Sequence, residues 1–318
     1  MSDKASEAQE TPPKAALIPK GELLSLLRRL GAALPFDDRR ALAMSLIEND
    51  VAEITFRRDG TTWTIAPWDP MIAHRLFIDG SFQGREIDAV LAWMRRKGRL
   101  SAPRDCIVDV GANIGTSAIP FAQATTCRVL AIEPIPEPFA LLSRNVADNG
   151  LAARVTCIRS AVVAGLRDVV HMVLPADNGG GGEVVRADRE LSFAGRARVR
   201  SEAQAPAAGL SAILARQGVA PERVAFVWSD TQGCEVDVIE TGHALWSAGA
   251  PLFVEFDPGV YGLEGATPLV AAALAHFAAF IPAEALIANP AVAARPIAEL
   301  PAHCLALGKA VSDCLLIP

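Results

Sequence analysis

Two rhythms of apolar and polar positions divide this chain. Before residue 100, apolar residues recur mostly at three- and four-residue spacing. Residues 17–30 and 35–48 thereby predict amphipathic helices, and Pro35, Asp37 and Asp38 suit a helix start. Residues 87–98 predict another, closed by a basic turn and Gly98. Between them "AEITFRRDGTTWTIAP" alternates apolar and polar side chains around Asp59-Gly60, the pattern of a β-hairpin.

From Asp105 onward the rhythm changes. Short apolar runs at 106–110, 128–133, 154–162, 224–230 and 251–257 alternate with helical stretches at 116–123, 136–149, 207–217 and 234–241. The closing "DCLLIP" adds a last candidate strand. This order predicts an α/β fold, an open and mainly parallel sheet covered on both faces. The expected organisation is a disordered tail over 1–15, an α+β cap over 16–100 and the sheet domain over 101–318. Between the third and fourth strands lie "VVHMVLP" and the glycine run "NGGGGE", 178–183. Four successive glycines hold one backbone path only at an entropic cost. The run therefore reads as a mobile surface loop, either plain linker or a lid over a site.

Composition narrows the partners. The net charge of −6 argues against nucleic acid or an anionic membrane as main partner, since both require a basic face. No apolar run reaches the roughly 18 to 20 residues that span a bilayer. The first residues lack the charged-then-apolar pattern of a secretory signal, so a cytoplasmic location is expected. The six cysteines are scattered without a C-x-x-C pair and read as buried free thiols. No two of the five histidines have metal-ligand spacing, so no metal is expected.

The chemistry concentrates in "DCIVDVGANIGTSAIPFA", 105–122. An apolar strand ends in Asp109, and Gly111, Asn113 and Gly115 follow at alternate positions. In open α/β sheets ligands sit beyond the carboxyl ends of the strands. Gly111 permits a sharp turn there, and the helix that follows directs its partly positive end at the ligand. A dinucleotide fingerprint laid on Gly111 needs glycine at 113 and 116, where the chain has Asn113 and Thr116. A pyrophosphate is thus disfavoured. Glu133, at the end of the second strand, suits a ribose diol. A ligand with a ribose, no pyrophosphate and a carboxylate fits S-adenosylmethionine.

The segments "VDVGANIGTSAIPFA", "AIEPIPEPFALLSRNVADNG", "SDTQGCEVDVIETG" and "LFVEFDP" resemble the FkbM-type S-adenosylmethionine-dependent methyltransferases. The resemblance spans about 105–260, and more loosely "FIDGSFQGREIDAVLAWM" before it. It implies the class I methyltransferase fold, Rossmann-like, with a seven-stranded sheet whose last strand is antiparallel. It implies methylation of hydroxyl oxygens on sugars, glycans or secondary metabolites. By the same resemblance Asp109, Gly111, Asn113 and Gly115 frame the methionine end of the cofactor, and Thr116, also a cofactor residue, opens the helix there. Glu133 holds the ribose, Pro134 shapes the turn beneath the adenine, and Ser160 and Ala161 fall at adenine contacts. Asn145 reads as structural. The family pattern K-x-D-x-E-G is altered here: Trp228 stands for the lysine and Gln232 for the glutamate, while Asp230 and Gly233 are kept.

Asp230 and Glu255, near the ends of the fourth and fifth strands, are the candidate bases or holders of the acceptor hydroxyl, against plain roles as a helix cap and a solvated acid. His74 and His243 stand behind them. Trp228 is either core or a wall of the acceptor pocket. Two other functions stay open at this point: a cofactor-binding module without turnover, suggested by the Trp228 and Gln232 departures, and a nicotinamide-dependent oxidoreductase, which rests only on fold analogy.

Overall fold

Alternation about Asp59-Gly60 does fold as a hairpin. Ile54–Arg58 pairs antiparallel with Thr61–Ile65, and both turn residues have positive φ, 49° and 83°, as a two-residue primed turn requires. The protein is seen here as a computed structural model that describes residues 20–48, 50–165, 168–187, 190–194, 197–256, 266–308 and 310–318. The expected tail over 1–15 lies outside these residues. Helices Lys20–Ala33, Phe36–Ile47 and Gly84–Arg96 occupy the predicted cap segments. A short helix, Ile72–Ile78, was not predicted.

The main sheet has eight strands. Their spatial order is Arg295–Pro296, Ala279–Pro282, Ser312–Ile317, Leu252–Phe256, Val224–Ser229, Cys106–Val110, Arg128–Ile132 and Val155–Ile158. From Leu252–Phe256 to Val155–Ile158 all neighbours are parallel. The C-terminal strand Ser312–Ile317 runs antiparallel between Leu252–Phe256 and Ala279–Pro282. The mainly parallel sheet is as expected, and it has eight strands rather than seven, the additional one being the two-residue edge Arg295–Pro296. The chain moves outward from Cys106–Val110 in one direction and later returns to its other side, so the order reverses at that strand. A crevice opens there at the carboxyl ends.

Neighbouring residues of the central strands alternate between two cores, as a strand covered on both faces requires. Ile107, Phe226, Trp228 and Phe253 join Trp63, Ile65, Trp93 and Met94 of the cap in one cluster. Val108, Val227 and Val254 join Trp246 and Phe277 in the other. The cap is bolted to the first face by two asparagines. The Asn145 side chain accepts from Thr64 N–H at 2.7 Å and donates to Thr64 O and Ile114 O. Asn149 repeats the exchange with Thr62. Asn145 is fully buried in this structural role.

Two predicted elements change. The 154–162 run is not one strand: Val155–Ile158 stays in the main sheet, while Ala161–Val162 pairs with Ala207–Ala208 in a second, four-stranded sheet. The predicted 207–217 helix begins only at Leu210, because Ala207 and Ala208 end the strand Val199–Ala208. That strand reads "VRSEAQAPAA", with little apolar signal, and pairing with Val169–Pro175 supplies what its sequence lacks.

Candidate active site

The crevice holds a cavity of about 250 Å³. Its floor is the turn after Cys106–Val110. Gly111 has φ 85°, and a Cβ there would collide with the main-chain oxygen of Asp230. Only glycine serves this position, because the Val224–Ser229 strand leaves the sheet directly across it, with Asp230 N–H donating to Val110 O at 3.0 Å. Asn113 is left-handed, φ 47°, a conformation asparagine tolerates better than most residues. Its own side-chain oxygen accepts from Ile114 N–H at 2.8 Å and secures the turn.

Glu133 is anchored by two backbone donors. Asn113 N–H gives to Oε2 at 3.0 Å and Ile135 N–H to Oε1 at 2.8 Å. Despite these donors, burial pushes its carboxyl up to about 7. Asp109 lies fully buried behind the turn. Ser117 Oγ donates to its Oδ2 at 2.6 Å, while Oδ1 has no partner. Burial, followed by the nearby Asp230 and Glu133 charges, raises Asp109 to about 7.

Of the predicted cofactor residues, Gly111, Asn113, Thr116, Glu133, Pro134, Ser160 and Ala161 line one cavity. Asp109 and Gly115 do not reach its wall. Gly115, at φ 100°, lies close to Ile119 and Leu142 instead, where a Cβ would crowd them. Thr116 precedes the helix, which starts at Ala118. Asp230 and Glu255 share the same wall. Burial raises the Asp230 carboxyl above its usual range. Gln232 Nε2 donates to Glu255 Oε2 at 3.3 Å. Neither His74 nor His243 lines the cavity. His74 Nε2 instead meets Pro67 O at 2.9 Å.

Trp228 is core, not pocket. It is 1% exposed and stacks on Phe253 with ring centroids 4.1 Å apart. Its strand position faces the cap-side cluster, where the cap closes over it. The glycine run is also no free surface loop. Gly179, Gly180 and Gly182 line the cavity, and a Cβ on Gly180 would come within 2.8 Å of Ile72. Close packing against Asp69, Ile72, Pro175 and Ile135 explains four glycines better than looseness does.

Residues missed in the sequence come mostly from the cap: Met71, Ile72, Phe82 and Gln83 form one side of the cavity. No local pattern marks them, since their role depends on how the cap docks. Among the described residues, no lysine, arginine or histidine lines the cavity, and no group of acids, cysteines and histidines has the geometry to hold a metal. All six cysteines are free. Cys234, at the cavity edge, is pushed up to about 12 by burial, so it is a thiol rather than a nucleophilic thiolate.

The residues present suit S-adenosylmethionine. Glu133 offers a buried carboxylate to a diol beside the Gly111–Asn113 turn, and the three cavity-wall acids Glu133, Asp230 and Glu255 suit a cationic ligand.

A family model described as the methyltransferase FkbM domain matches residues 109–273. Curated proteins offer no match. Among solved structures, TYW2 from P. horikoshii in complex with MeSAdo aligns at 12% identity and a TM-score of 0.39, over 84% of this chain and 70% of that one. A geranyl diphosphate methyltransferase in complex with GPP and sinefungin aligns at 12% identity and 0.37, over 77% and 78%. A predicted O-methyltransferase from Agrobacterium tumefaciens aligns at 14% identity and 0.37, over 72% and 80%.

Proposed function

This chain belongs to the FkbM methyltransferase family, and we propose that it methylates a hydroxyl oxygen of a sugar, glycan or secondary metabolite. The observation that carries the proposal is the meeting of Asp230 and Glu255 with Glu133, Asn113 and the Gly111 turn around one cavity. The cofactor is S-adenosyl-L-methionine, which when bound supplies an electrophilic methyl group.

In this reading Gly111, Asn113 and Thr116 receive the methionine end, with Asp109 and Gly115 shaping the turn from behind. Glu133 accepts the ribose hydroxyls, and Pro134, Ser160 and Ala161 border the base. The chain's own contribution to rate is first alignment, worth about 7 to 11 kcal/mol when reacting groups are well oriented. A positioned base adds a factor of about 10² to 10⁴. Asp230 fits that role: burial raises its carboxyl and strengthens it as a proton acceptor. Glu255, held by Gln232, orients the acceptor.

The absence of basic side chains from the described cavity wall favours a neutral or cationic acceptor over a phosphorylated one. The net charge of −6 supports a partner other than nucleic acid. No helix among the described residues is long and apolar enough to cross a membrane. We place the protein in the cytoplasm and read 16–100 as a cap on a catalytic domain over 101–318.

The test is transfer of an isotope-labelled methyl group to a panel of hydroxylated acceptors, with calorimetric measurement of cofactor affinity alongside. Labelled ether product, lost in Asp230→Asn, is the expected result. Firm cofactor affinity without any transfer would instead select a binding module.

A further inference from the structure

Gln83 occupies an unusual position for an ordinary surface glutamine. It immediately precedes the helix Gly84–Arg96 with a left-handed backbone, φ 53° and ψ 26°, which side chains other than Gly, Asn and Asp seldom adopt. Its side chain makes no hydrogen bond to cap that helix. It turns into the cavity, where Nε2 donates to Asp230 Oδ2 at 2.9 Å, across 147 residues of chain. The helix behind it is firmly seated, with Ile87, Val90, Leu91, Trp93 and Met94 buried. Gln83 is therefore presented by a rigid element.

Asp230 needs such a partner. The acids that face it are Asp109 from the neighbouring strand and Asp313 from the antiparallel C-terminal strand, with Glu255 on the same cavity wall. Glu86 and Glu284 add to the negative field at Asp313. No cation lines the cavity among the described residues. A buried carboxylate among acids retains its proton, and a protonated acid cannot accept another. A lysine or arginine partner would hold it ionised but weaken it as a base. An amide donor fixes orientation and favours the ionised form more gently, without a titratable group of its own.

We propose that Gln83 is a positioning residue, which fixes the direction of the Asp230 carboxylate in the cavity and offsets part of the cost of ionising it there, so that it can receive the hydroxyl proton. The catalytic part of this proposal rests on the reading of Asp230 as the base. The pairing itself does not.

The experiment titrates aspartates carrying ¹³C at the side-chain carboxyl in the full-length protein, with Asp230→Asn identifying the resonance. Wild type is compared with Gln83→Leu and with Gln83→Asn. Asparagine tolerates the left-handed backbone and folds where leucine does not, yet its amide is one methylene too short to reach. The Asp230 midpoint should rise by about one to two pH units in both, the loss of a hydrogen bond to a charged acceptor. Cofactor affinity, measured by calorimetry, reports alongside whether each variant keeps the cavity intact. A midpoint unmoved in the folded variants overturns the proposal. Once an acceptor is in hand, the acid limb of the kcat profile should move upward with the midpoint. Should Asp230→Asn instead turn over at the wild-type rate, the base reading fails while a shifted NMR midpoint still upholds the pairing.

Discussion

The side-chain amide of Asn113 donates to the main-chain oxygen of Gly179 at 2.8 Å. The same peptide segment is held on its other side, where Gly179 N–H donates to Asp69 Oδ1 at 3.0 Å. Asp69 also accepts from the N–H groups of Met71, Ile72 and Ala73. One buried carboxylate thus joins the cap helix to the glycine run, and the run to the turn that holds Glu133.

Asp69→Ala should loosen all three. Loss of the acceptor for a helix's first turn costs about 0.5 to 2 kcal/mol. The melting temperature should fall accordingly, and amide exchange should rise selectively over 178–182. Unchanged protection of those amides would show that packing of Ile72 and Ile135 suffices to hold the run.

Glu133→Ala should weaken S-adenosylmethionine binding by roughly 1 to 3 kcal/mol, the loss of a charged acceptor for a diol. Isothermal calorimetry measures it directly. An unaltered dissociation constant in a folded variant would remove Glu133 from the cofactor's contacts.

Asp109 predicts a dependence of stability on pH. Its carboxyl is pushed by burial from 3.8 up to about 7. Between these values the unfolded chain releases its proton while the folded protein retains it, so stability falls as pH rises through the window and levels off above it. Asp109→Asn mimics the neutral form and preserves an acceptor for Ser117. The melting-temperature difference, variant minus wild type, should be small near pH 4, grow up to about pH 7 and level off above it. A difference independent of pH would contradict a buried ionisation at this site.

Trp228→Lys restores the residue usual in the family but should not restore a family-like site. Trp228 fills the space between Phe121 and Phe253, and truncating a buried tryptophan costs about 3 to 5 kcal/mol before any charge is buried. Thermal denaturation should show a large loss of stability. A stable variant with altered turnover would mean that the lysine reaches the cavity after all.

What the chain determined by itself is what rests on local period and turn chemistry. Runs such as Cys106–Val110 and Arg128–Ile132 are apolar without interruption because both faces are covered, and they were legible as strands. The turn at Gly111 and Asn113 was legible because few residues adopt its backbone. The acids Glu133, Asp230 and Glu255 were legible as strand-end acids and line the cavity, whereas Asp109, read the same way, lies buried behind the turn. Tertiary structure alone decided the rest, because it depends on contacts between distant segments. The strand Val199–Ala208 exists through its pairing with Val169–Pro175. The glycine run is an inner wall because Asp69 and Asn113 grip it from opposite sides. Trp228 belongs to the core because the cap closes over its face of the sheet and Phe121 and Phe253 enclose its ring. Gln83 meets Asp230 because a cap packed on the sheet face delivers it there, and no spacing along the sequence encodes a bond across 147 residues.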